Sequence, residues 1–339
     1  MASGWWASCC GWCRCRKRSP GIGTCMAQTP LSGEQPTIGP SVGDGVVPSL
    51  AELVALRALA QGRRPPRRGQ HGVQGHALSN LRGRGMEYAE SREYAAGDDA
   101  RHIDWRLTAR SGKAHTKLFQ AERERLTLVV ADTAPALYFG TRVRFKSVQA
   151  ARAGALAAWL AARDGDRIAA LRGASQEAPV APASGQRGAL RVLDALVRWY
   201  ARPPEDDAGL AKALEHARRL LRPGSRVIVL ADPASVLAVP APLWAGVGQH
   251  HDAVVLLLTD PLERRPPVAR LPFSLGGERL ELALDAAAVR QRWQQAFDAP
   301  MQAALALLQR QRIRAQPLSS DDPADAWLAL LDGPARRTG

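Results

Sequence analysis

The hydrophobic pattern in the second half of the chain alternates between short apolar runs and helical stretches. The runs LTLVVAD from Leu126 and SRVIVLAD from Ser225 end in an aspartate, Val254 to Thr259 precedes another, and Arg167 to Leu171 is a further apolar run. Apolar runs of this length fit strands buried on both faces, as in parallel sheets with crossover helices. The chain is therefore predicted to hold an α/β domain with a doubly wound, mainly parallel sheet.

Helical periodicity fills the intervals between these runs. Ser49 and Glu52 have the spacing of a capping box, and the apolar positions after them predict a helix that stops at Gly62. Further helices are expected at Arg144 to Arg163, Leu190 to Tyr200, Ala208 to Leu221 and Ala286 to Arg312, with a kink or break at Pro300, a linker before Leu190 and an edge strand at Arg279 to Leu284.

These patterns divide the chain into four parts. Residues 1–47 are interpreted as a tail and linker, since residues 26–47 are rich in Pro, Gly, Ser and Thr, and Met26 is a possible true start. Residues 48–125 carry a dense polar motif, expected to pack on the main domain. Residues 126–332 form the α/β domain, and residues 333–339 are a short tail.

The composition is that of a folded protein, with 46% hydrophobic and 23% charged residues. No apolar run approaches the roughly 20 residues of a membrane span, and the first residues do not resemble a secretory signal. All five cysteines lie within the first 25 residues, without the spaced ligand pairs of a zinc site, so the body suits a reducing compartment. We predict a cytoplasmic protein with no membrane span.

The net charge of +14 is unevenly placed, because seven arginines occur between Leu53 and Met86 without any Asp or Glu. Such a stripe attracts acidic protein surfaces or phosphate, unless it reflects only the general use of arginine in this sequence. The same stretch has no Phe, Trp or Tyr to stack on bases. Nucleic acid is therefore the less favoured partner.

The densest polar chemistry lies between Gly83 and Glu124. Guanidinium groups pair with carboxylates and stack on rings, so arginines, aspartates and aromatic residues at this density usually form an ion-paired lattice. We expect the charged members to form one partly buried network that joins this segment to the α/β domain. The network would contain Asp98, Arg101, Asp104 and Arg110, and the motif also includes Arg92, Tyr94, Gly97, Asp99 and Trp105.

The order of residues in this motif is specific. The matching positions are Gly83, Gly85, Glu87, Tyr88, Arg92, Tyr94, Gly97, Asp98, Asp99, Arg101, Ile103, Asp104, Trp105, Ala109 and Arg110. They follow the pattern G-x-G-x-E-[FY], R-x-Y-x-x-G-D-D-x-R-x-I-D-W and A-R, which resembles the family called domain of unknown function 58. The resemblance covers roughly Ser49 to Leu331. It implies a von Willebrand factor A-like domain beginning near Leu126, a MoxR-type AAA+ ATPase as partner, and no enzymatic activity.

The von Willebrand factor A resemblance raises the question of a magnesium site, which that fold builds from D-x-S-x-S after its first strand. Here the residues are D-T-A-P-A from Asp132, so Ala134 and Ala136 replace the two serines, although Asp232 remains. Magnesium requires several hard oxygen ligands. We therefore predict a degenerate metal site at these four positions and no cofactor, with weak magnesium binding as the alternative.

Catalytic readings of the sequence are less favoured. No G-x-x-x-x-G-K-[ST] phosphate loop occurs, so the chain is not itself the ATPase. A hydrolase would need His102, oriented by Asp98 or Asp104, beside a serine such as Ser91 or Ser111, and nothing in the sequence fixes that geometry.

The predicted function is that of a non-enzymatic adaptor that engages the ATPase and an unidentified protein client. Ligands of doubly wound sheets bind at the carboxyl ends of the strands, where Asp132, Asp232 and Asp260 are expected. Docking is predicted to depend on side chains around Asp132 to Arg144 and Asp232 to Val236, and Arg142 and Arg144 are the arginines expected to meet acidic partner residues. The alternatives are a metal-dependent ligand-binding domain and, less favoured, a nucleic-acid-binding protein.

Overall fold

The computed structural model describes residues 45–62, 86–95, 98–121, 125–275 and 278–331. They belong to two compact units, an α/β unit within Met1–Arg68 and Arg125–Gly339 and a smaller unit within Gly69–Glu124. The segment predicted at residues 48–125 is therefore divided, since its first helices belong to the α/β unit. The cysteine cluster, the C-terminal tail and the arginines between residues 63 and 85 lie outside the described residues.

The helices and strands of the described residues are named in chain order. They are α1 (Leu50–Ala55), α2 (Arg57–Gly62), β1 (Met86–Glu93), α3 (Trp105–Ser111), β2 (His115–Ala121), β3 (Leu126–Ala131), α4 (Lys146–Asp164), β4 (Arg167–Arg172), β5 (Val180–Ser184), α5 (Gly185–Tyr200), α6 (Gly209–Leu220), β6 (Arg226–Ala231), α7 (Pro233–Ala238), α8 (Ala241–His250), β7 (Asp252–Thr259), α9 (Pro261–Arg264), β8 (Arg270–Leu275), β9 (Glu278–Ala283), α10 (Ala287–Arg310) and β10 (Arg314–Ser319).

A six-stranded sheet with the order β10-β7-β6-β3-β4-β5 forms the centre of the α/β unit. All neighbouring strands are parallel except β4 and β5. The chain adds β4 and β5 on one side of β3 and then β6, β7 and β10 on the other, so the strand order reverses next to β3. The prediction of an α/β fold with a mainly parallel sheet is confirmed.

Helices cover both faces of this sheet, because successive side chains of a strand point to opposite faces. Val129 of β3 packs in a core with Leu156 of α4, whereas its neighbour Leu128 packs in a second core with Leu214 of α6 and Trp244 of α8. The first core also contains residues of α1, α2 and α5, and the second contains residues of α10.

The N-terminal helices are fastened to α4. Leu53 is fully buried, its carbonyl oxygen accepts a hydrogen bond from Trp159 Nε1 at 3.0 Å, and the Glu52 carboxylate pairs with Arg152 at 2.5 Å. Ser49 Oγ accepts from the Glu52 amide at 3.2 Å, so this half of the predicted capping box is present. The Glu52 side chain attaches α1 to α4 by pairing with Arg152.

Two predictions at the sheet edges are wrong. The stretch taken as a linker contains β5, an antiparallel edge strand in which Pro182 is tolerated because one side of an edge strand has no ladder partner. Arg279 to Leu284 does not extend the main sheet, since β9 pairs with β8 in a separate antiparallel ribbon and β10 is the strand beside β7. Of the kink or break predicted at Pro300, the break does not occur, since Pro300 lies inside the continuous helix α10.

The smaller unit is built on the antiparallel pair of β1 and β2, with a short 3-10 turn at Ala100–His102 and helix α3 between them. Asp104 caps α3, and Gly112 ends it in the left-handed conformation with φ 71°. The Asp104 amide donates to the His115 carbonyl at 2.7 Å, which fixes the start of α3 against β2.

We expect Leu53→Ala to destabilise the α/β unit by about 2 to 5 kcal/mol, because it leaves a cavity where α1 meets α4. Urea unfolding followed by circular dichroism measures this loss. The control is Leu59→Ala in α2, since Leu59 is 42% exposed and should change the free energy of unfolding by less than about 1 kcal/mol. Equal effects of both substitutions would contradict this account of the N-terminal helices.

Candidate functional site at the carboxyl edge of the sheet

Three aspartates meet the same edge of the sheet because each follows a parallel strand. Asp132 follows β3, Asp232 follows β6 and Asp260 follows β7. All three are buried, with at most 3% of the residue surface exposed. The edge that the sequence predicted is therefore a set of buried carboxylates, and their partners determine what the edge can do.

Asp132 is held by hydrogen-bond donors from two loops. Its Oδ1 accepts from the Ala134 amide and its Oδ2 from the Asp232 amide, both at 3.0 Å. Burial raises its pKa from the ordinary 3.8 to about 6, because removal from water penalises the charged form more than these bonds and that of the Ser235 side chain stabilise it. Asp132 thus joins the loops that follow β3 and β6.

Lys146, the first residue of α4, is the cation of this edge. Its Nζ lies 3.0 Å from Asp232 Oδ2 and 2.7 Å from Glu263 Oε1, and its side chain is 1% exposed. Burial alone would lower the pKa of the lysine, but the two carboxylates outweigh it and the pKa is raised. Lys146 therefore remains an ammonium ion and ties together the segments after β3, β6 and β7.

Asp260 is the centre of a second set of hydrogen bonds at the carboxyl edge. We call this set, together with the contacts of Asp132 and Lys146, the edge lattice. The Asp260 carboxylate accepts from Thr141 Oγ1 at 2.5 Å, from the Thr141 amide at 3.0 Å and from Ser320 Oγ at 2.8 Å. The Asp260 amide in turn donates to Glu263 Oε2 at 2.9 Å, which completes a capping box at α9. The segments that follow β3, β6, β7 and β10 are thus joined by ion pairs and hydrogen bonds among these buried side chains.

The residues of this edge do not fit the magnesium site that the resemblance raised. Both oxygens of Asp132 accept backbone amides, Asp232 is bound to Lys146 and to the Ala234 amide, and the Thr133 hydroxyl donates to Asp207 at 2.9 Å. Ala134 and Ala136 bring no side-chain oxygen. Across the part of the chain that the structure describes, no group of three or more His, Cys, Asp or Glu side chains is arranged to hold a metal ion.

A cavity of about 170 Å³ opens beside this lattice, between the loops after β6 and β7 and helix α10. Its lining includes Glu263, Arg265, Phe297 and Met301, together with Thr259, whose buried hydroxyl has no hydrogen-bond partner among the residues that the structure describes. Pockets for drug-sized ligands are typically about 300 Å³ or more. The cavity therefore suits an inserted side chain better than a large cofactor.

The two predicted docking arginines have different environments. Arg142 is exposed, as is its neighbour Val143 at 52%, on the loop that leads into α4. Arg144 is half-buried, and its guanidinium donates to the carbonyl oxygens of Ser320 at 2.7 Å and Asp322 at 3.1 Å. Only Arg142 is placed to meet a partner without loss of internal contacts.

The smaller unit does not bring the expected charged residues into one network. Asp98 pairs with Arg92 at 2.6 Å, and the amide of Ala95 is the main cause of its lowered pKa. Asp104 accepts from the Arg106 and Leu107 amides and from Ser91 Oγ. Among the described residues, the side chains of Arg101 and Arg110 form no ion pair. The other motif residues have local roles: the Tyr94 hydroxyl donates to the Asp98 carbonyl, and the Asp99 carboxylate accepts from the Arg101 amide. Trp105 is 70% exposed. Gly97 lies outside the described residues.

The smaller unit does contain a serine beside a histidine, but the pair is unsuited to nucleophilic catalysis. Ser111 Oγ lies 3.2 Å from Nδ1 of His115, not of His102. The same Nδ1 lies 2.7 Å from the Lys113 carbonyl, which can only accept, so this contact keeps a proton on Nδ1. A nitrogen that carries a proton cannot take one from the serine.

The family model described as "Protein of unknown function DUF58" matches residues 90–302, which include the second half of the signature and most of the edge lattice. The chain belongs to the DUF58 family. Residues Asp132, Lys146, Asp232 and Glu263 all lie within the matched range.

Two relatives of this DUF58 chain have names that assign no activity. It is 30% identical over 199 residues to the uncharacterized proteins Mb1516 of Mycobacterium bovis and Rv1480 of Mycobacterium tuberculosis. The match covers 58% of this chain and 62% of each relative. No solved structure matches the chain. Within the described residues, no helix is long and apolar enough to cross a membrane.

The sequence analysis did not predict the roles of Lys146 and Glu263 at the carboxyl edge of this DUF58 protein. Lysine is usually exposed, so Lys146 at the start of an Ala-rich helix gave no sign that it is buried. Glu263 was detectable in principle, because the letters DPLE from Asp260 have the spacing of a capping box. Its pairing with Lys146 spans 117 positions and has no local signal.

We expect Lys146→Met to lower the free energy of unfolding by about 3 to 5 kcal/mol, because it leaves Asp232 and Glu263 buried without their cation. Lys212→Met is the control, since it removes only an exposed pair with Glu215 and should cost less than about 1 kcal/mol. Adding Glu263→Gln to Lys146→Met should recover part of the loss. Similar stabilities of the two lysine variants in urea unfolding would refute the buried bridge.

The raised pKa of Asp132 predicts a pH dependence of stability. A carboxyl group with a raised pKa in the folded state stabilises the fold fully below its ordinary pKa, and this contribution is lost as pH rises through the folded value. As the pH rises from 3.8 to about 6, the free energy of unfolding of the wild type should therefore fall by roughly 2 to 3 kcal/mol relative to that of Asp132→Asn. Urea unfolding across this range and NMR titration of the carboxyl carbon test the prediction. A carboxyl that titrates near its ordinary value would contradict it.

Proposed function

We propose that this DUF58 protein is a non-enzymatic adaptor whose α/β unit is a von Willebrand factor A-like domain, and that it works with a MoxR-type AAA+ ATPase in protein assembly or maturation. The observation that carries the proposal is the bridge from Lys146 to Asp232 and Glu263. It makes the carboxyl edge a set of fixed loops in which Asp132, Asp232 and Asp260 are bound by internal donors. Such an edge is suited to holding a surface in place rather than to chemistry on a substrate.

The position of the edge supports a binding role. Doubly wound sheets bind ligands at the carboxyl ends of their strands, beside the point where the strand order reverses. Here that point lies between β3 and β6, where Asp132 accepts from the Asp232 amide. The exposed loop of Arg142 and Val143 belongs to the same edge, because the Thr141 amide and hydroxyl are bound by Asp260. These hydrogen bonds fix the base of the loop at Thr141, whereas Arg142 and Val143 at its tip face solvent.

The chemistry of this loop favours a protein partner. An exposed arginine beside a half-exposed apolar side chain fits a surface that offers a carboxylate and an apolar residue. The cavity lined by Asp232 and Glu263, at the same edge, has room for one inserted side chain. Because the Lys146 ammonium is hydrogen-bonded to both Asp232 and Glu263, no divalent ion is needed to hold these two carboxylates together. Docking is therefore expected to be independent of metal.

The test is co-purification of the full chain with the MoxR-type ATPase whose gene lies nearest to its own. We expect the association to persist in EDTA. Arg142→Glu should weaken the binding free energy by roughly 1 to 3 kcal/mol, which raises Kd about fivefold to 150-fold. Arg187→Glu is the control, since this exposed arginine lies in the first turn of α5, which starts at the opposite edge of the sheet where Ser184 pairs with Arg167.

Three outcomes would count against the proposal. No association in any nucleotide state would remove the ATPase partnership. Equal effects of Arg142→Glu and Arg187→Glu would remove the carboxyl edge as the docking surface. Association abolished by EDTA, with nucleotide binding by the ATPase intact, would restore the metal-dependent alternative.

A further inference from the structure

The smaller unit exposes an aromatic and basic face on helix α3. Trp105, Arg106, Ala109 and Arg110 are all exposed, and their spacing of one and four residues places them on one side of the helix. Trp105 is 70% exposed, and Arg101 is exposed in the 3-10 turn that precedes it. We call Trp105, Arg106 and Arg110 the α3 face.

The acidic residues closest in sequence do not neutralise this face. Asp98 is bound to Arg92, and Asp99 accepts from the Arg101 backbone amide. Asp104 uses its oxygens to cap α3 and to accept from Ser91. Among the described residues, the guanidinium groups of the α3 face therefore have no carboxylate partner.

Nothing in the local fold requires this arrangement. Arg106 and Arg110 are separated by four positions on one helix, and like charges at that spacing destabilise a helix slightly. A large indole facing water contributes little to the core and favours association with other surfaces. Tryptophan and arginine are also the side chains that most often dominate binding energy at protein interfaces.

We propose that the α3 face is a docking surface for an acidic segment of a partner protein, in which an apolar side chain packs on Trp105 and carboxylates pair with the arginines. This inference concerns the smaller unit and does not rest on the ATPase partnership. A protein fits better than nucleic acid, because the α3 face offers one exposed ring, whereas single-stranded nucleic acid is bound by several rings on which successive bases stack. The two guanidinium groups, four positions apart on the helix, match a short acidic stretch instead.

The experiment measures fluorescence anisotropy of a labelled peptide that alternates glutamate pairs with leucine, titrated with the full chain at about 150 mM salt. Trp105→Ala should weaken binding roughly fivefold, and Arg106→Glu with Arg110→Glu more than tenfold. The matched control is Arg187→Glu with Arg191→Glu, which changes the net charge equally at an exposed pair with the same spacing on α5. It should change binding less than about twofold.

Other results would overturn the proposal. Equal weakening by the two double variants would show non-specific attraction to a basic protein. Tighter binding of a single-stranded 20-mer DNA than of the peptide, lost in Trp105→Ala, would make the α3 face a nucleic-acid surface. A fall of many degrees in the melting temperature of Trp105→Ala would show that the indole is buried in an intramolecular contact in solution.

Discussion

A buried ammonium group between two buried carboxylates is the constraint on which the carboxyl edge depends. Removing Lys146, Asp232 and Glu263 from water is unfavourable for each of them alone, and their short contacts offset that cost together with the backbone amides that the two carboxylates accept from. Each residue also starts or caps a helix: Lys146 begins α4, Asp232 caps α7 and Glu263 completes the cap of α9. One electrostatic contact thus fixes the entry of three helices. The hydrogen bonds of Asp132 and Asp260 then act on loops that are already in place.

The fold was largely predictable because its strands are buried on both faces. Burial of that kind requires continuous apolar runs, and β3, β4, β6 and β7 have them. The position of Asp132, Asp232 and Asp260 at one edge followed from the same runs, since parallel strands place their carboxyl ends together. Within the six-stranded sheet, the strands that escaped prediction were β5 and β10, which contain Pro182 and Pro317 and lie at the sheet edges. An edge strand needs neither a continuous apolar run nor a complete ladder.

The candidate sites were less predictable, because their partners are distant in sequence or absent from it. Spacing cannot reveal that Lys146 is buried or that it meets Glu263, since that contact depends on the whole sheet. In the smaller unit the composition suggested a lattice of paired charges, yet the carboxylates of Asp99 and Asp104 accept backbone amides. Helix and turn capping competes with arginine for the same oxygens, and composition alone does not decide between them.

The bridge at Lys146 also bears on how the chain folds. Its two partners lie 86 and 117 positions further along, so neither contact forms until β3, β6 and β7 are assembled side by side. Contacts of such long sequence separation carry a loop-closure cost that must be met before they contribute, and they are typical of slowly folding topologies. Until that step the ammonium and carboxylate groups are best solvated in water. The edge loops should therefore acquire protection from hydrogen exchange after the strands do, as the last part of the α/β unit to become native.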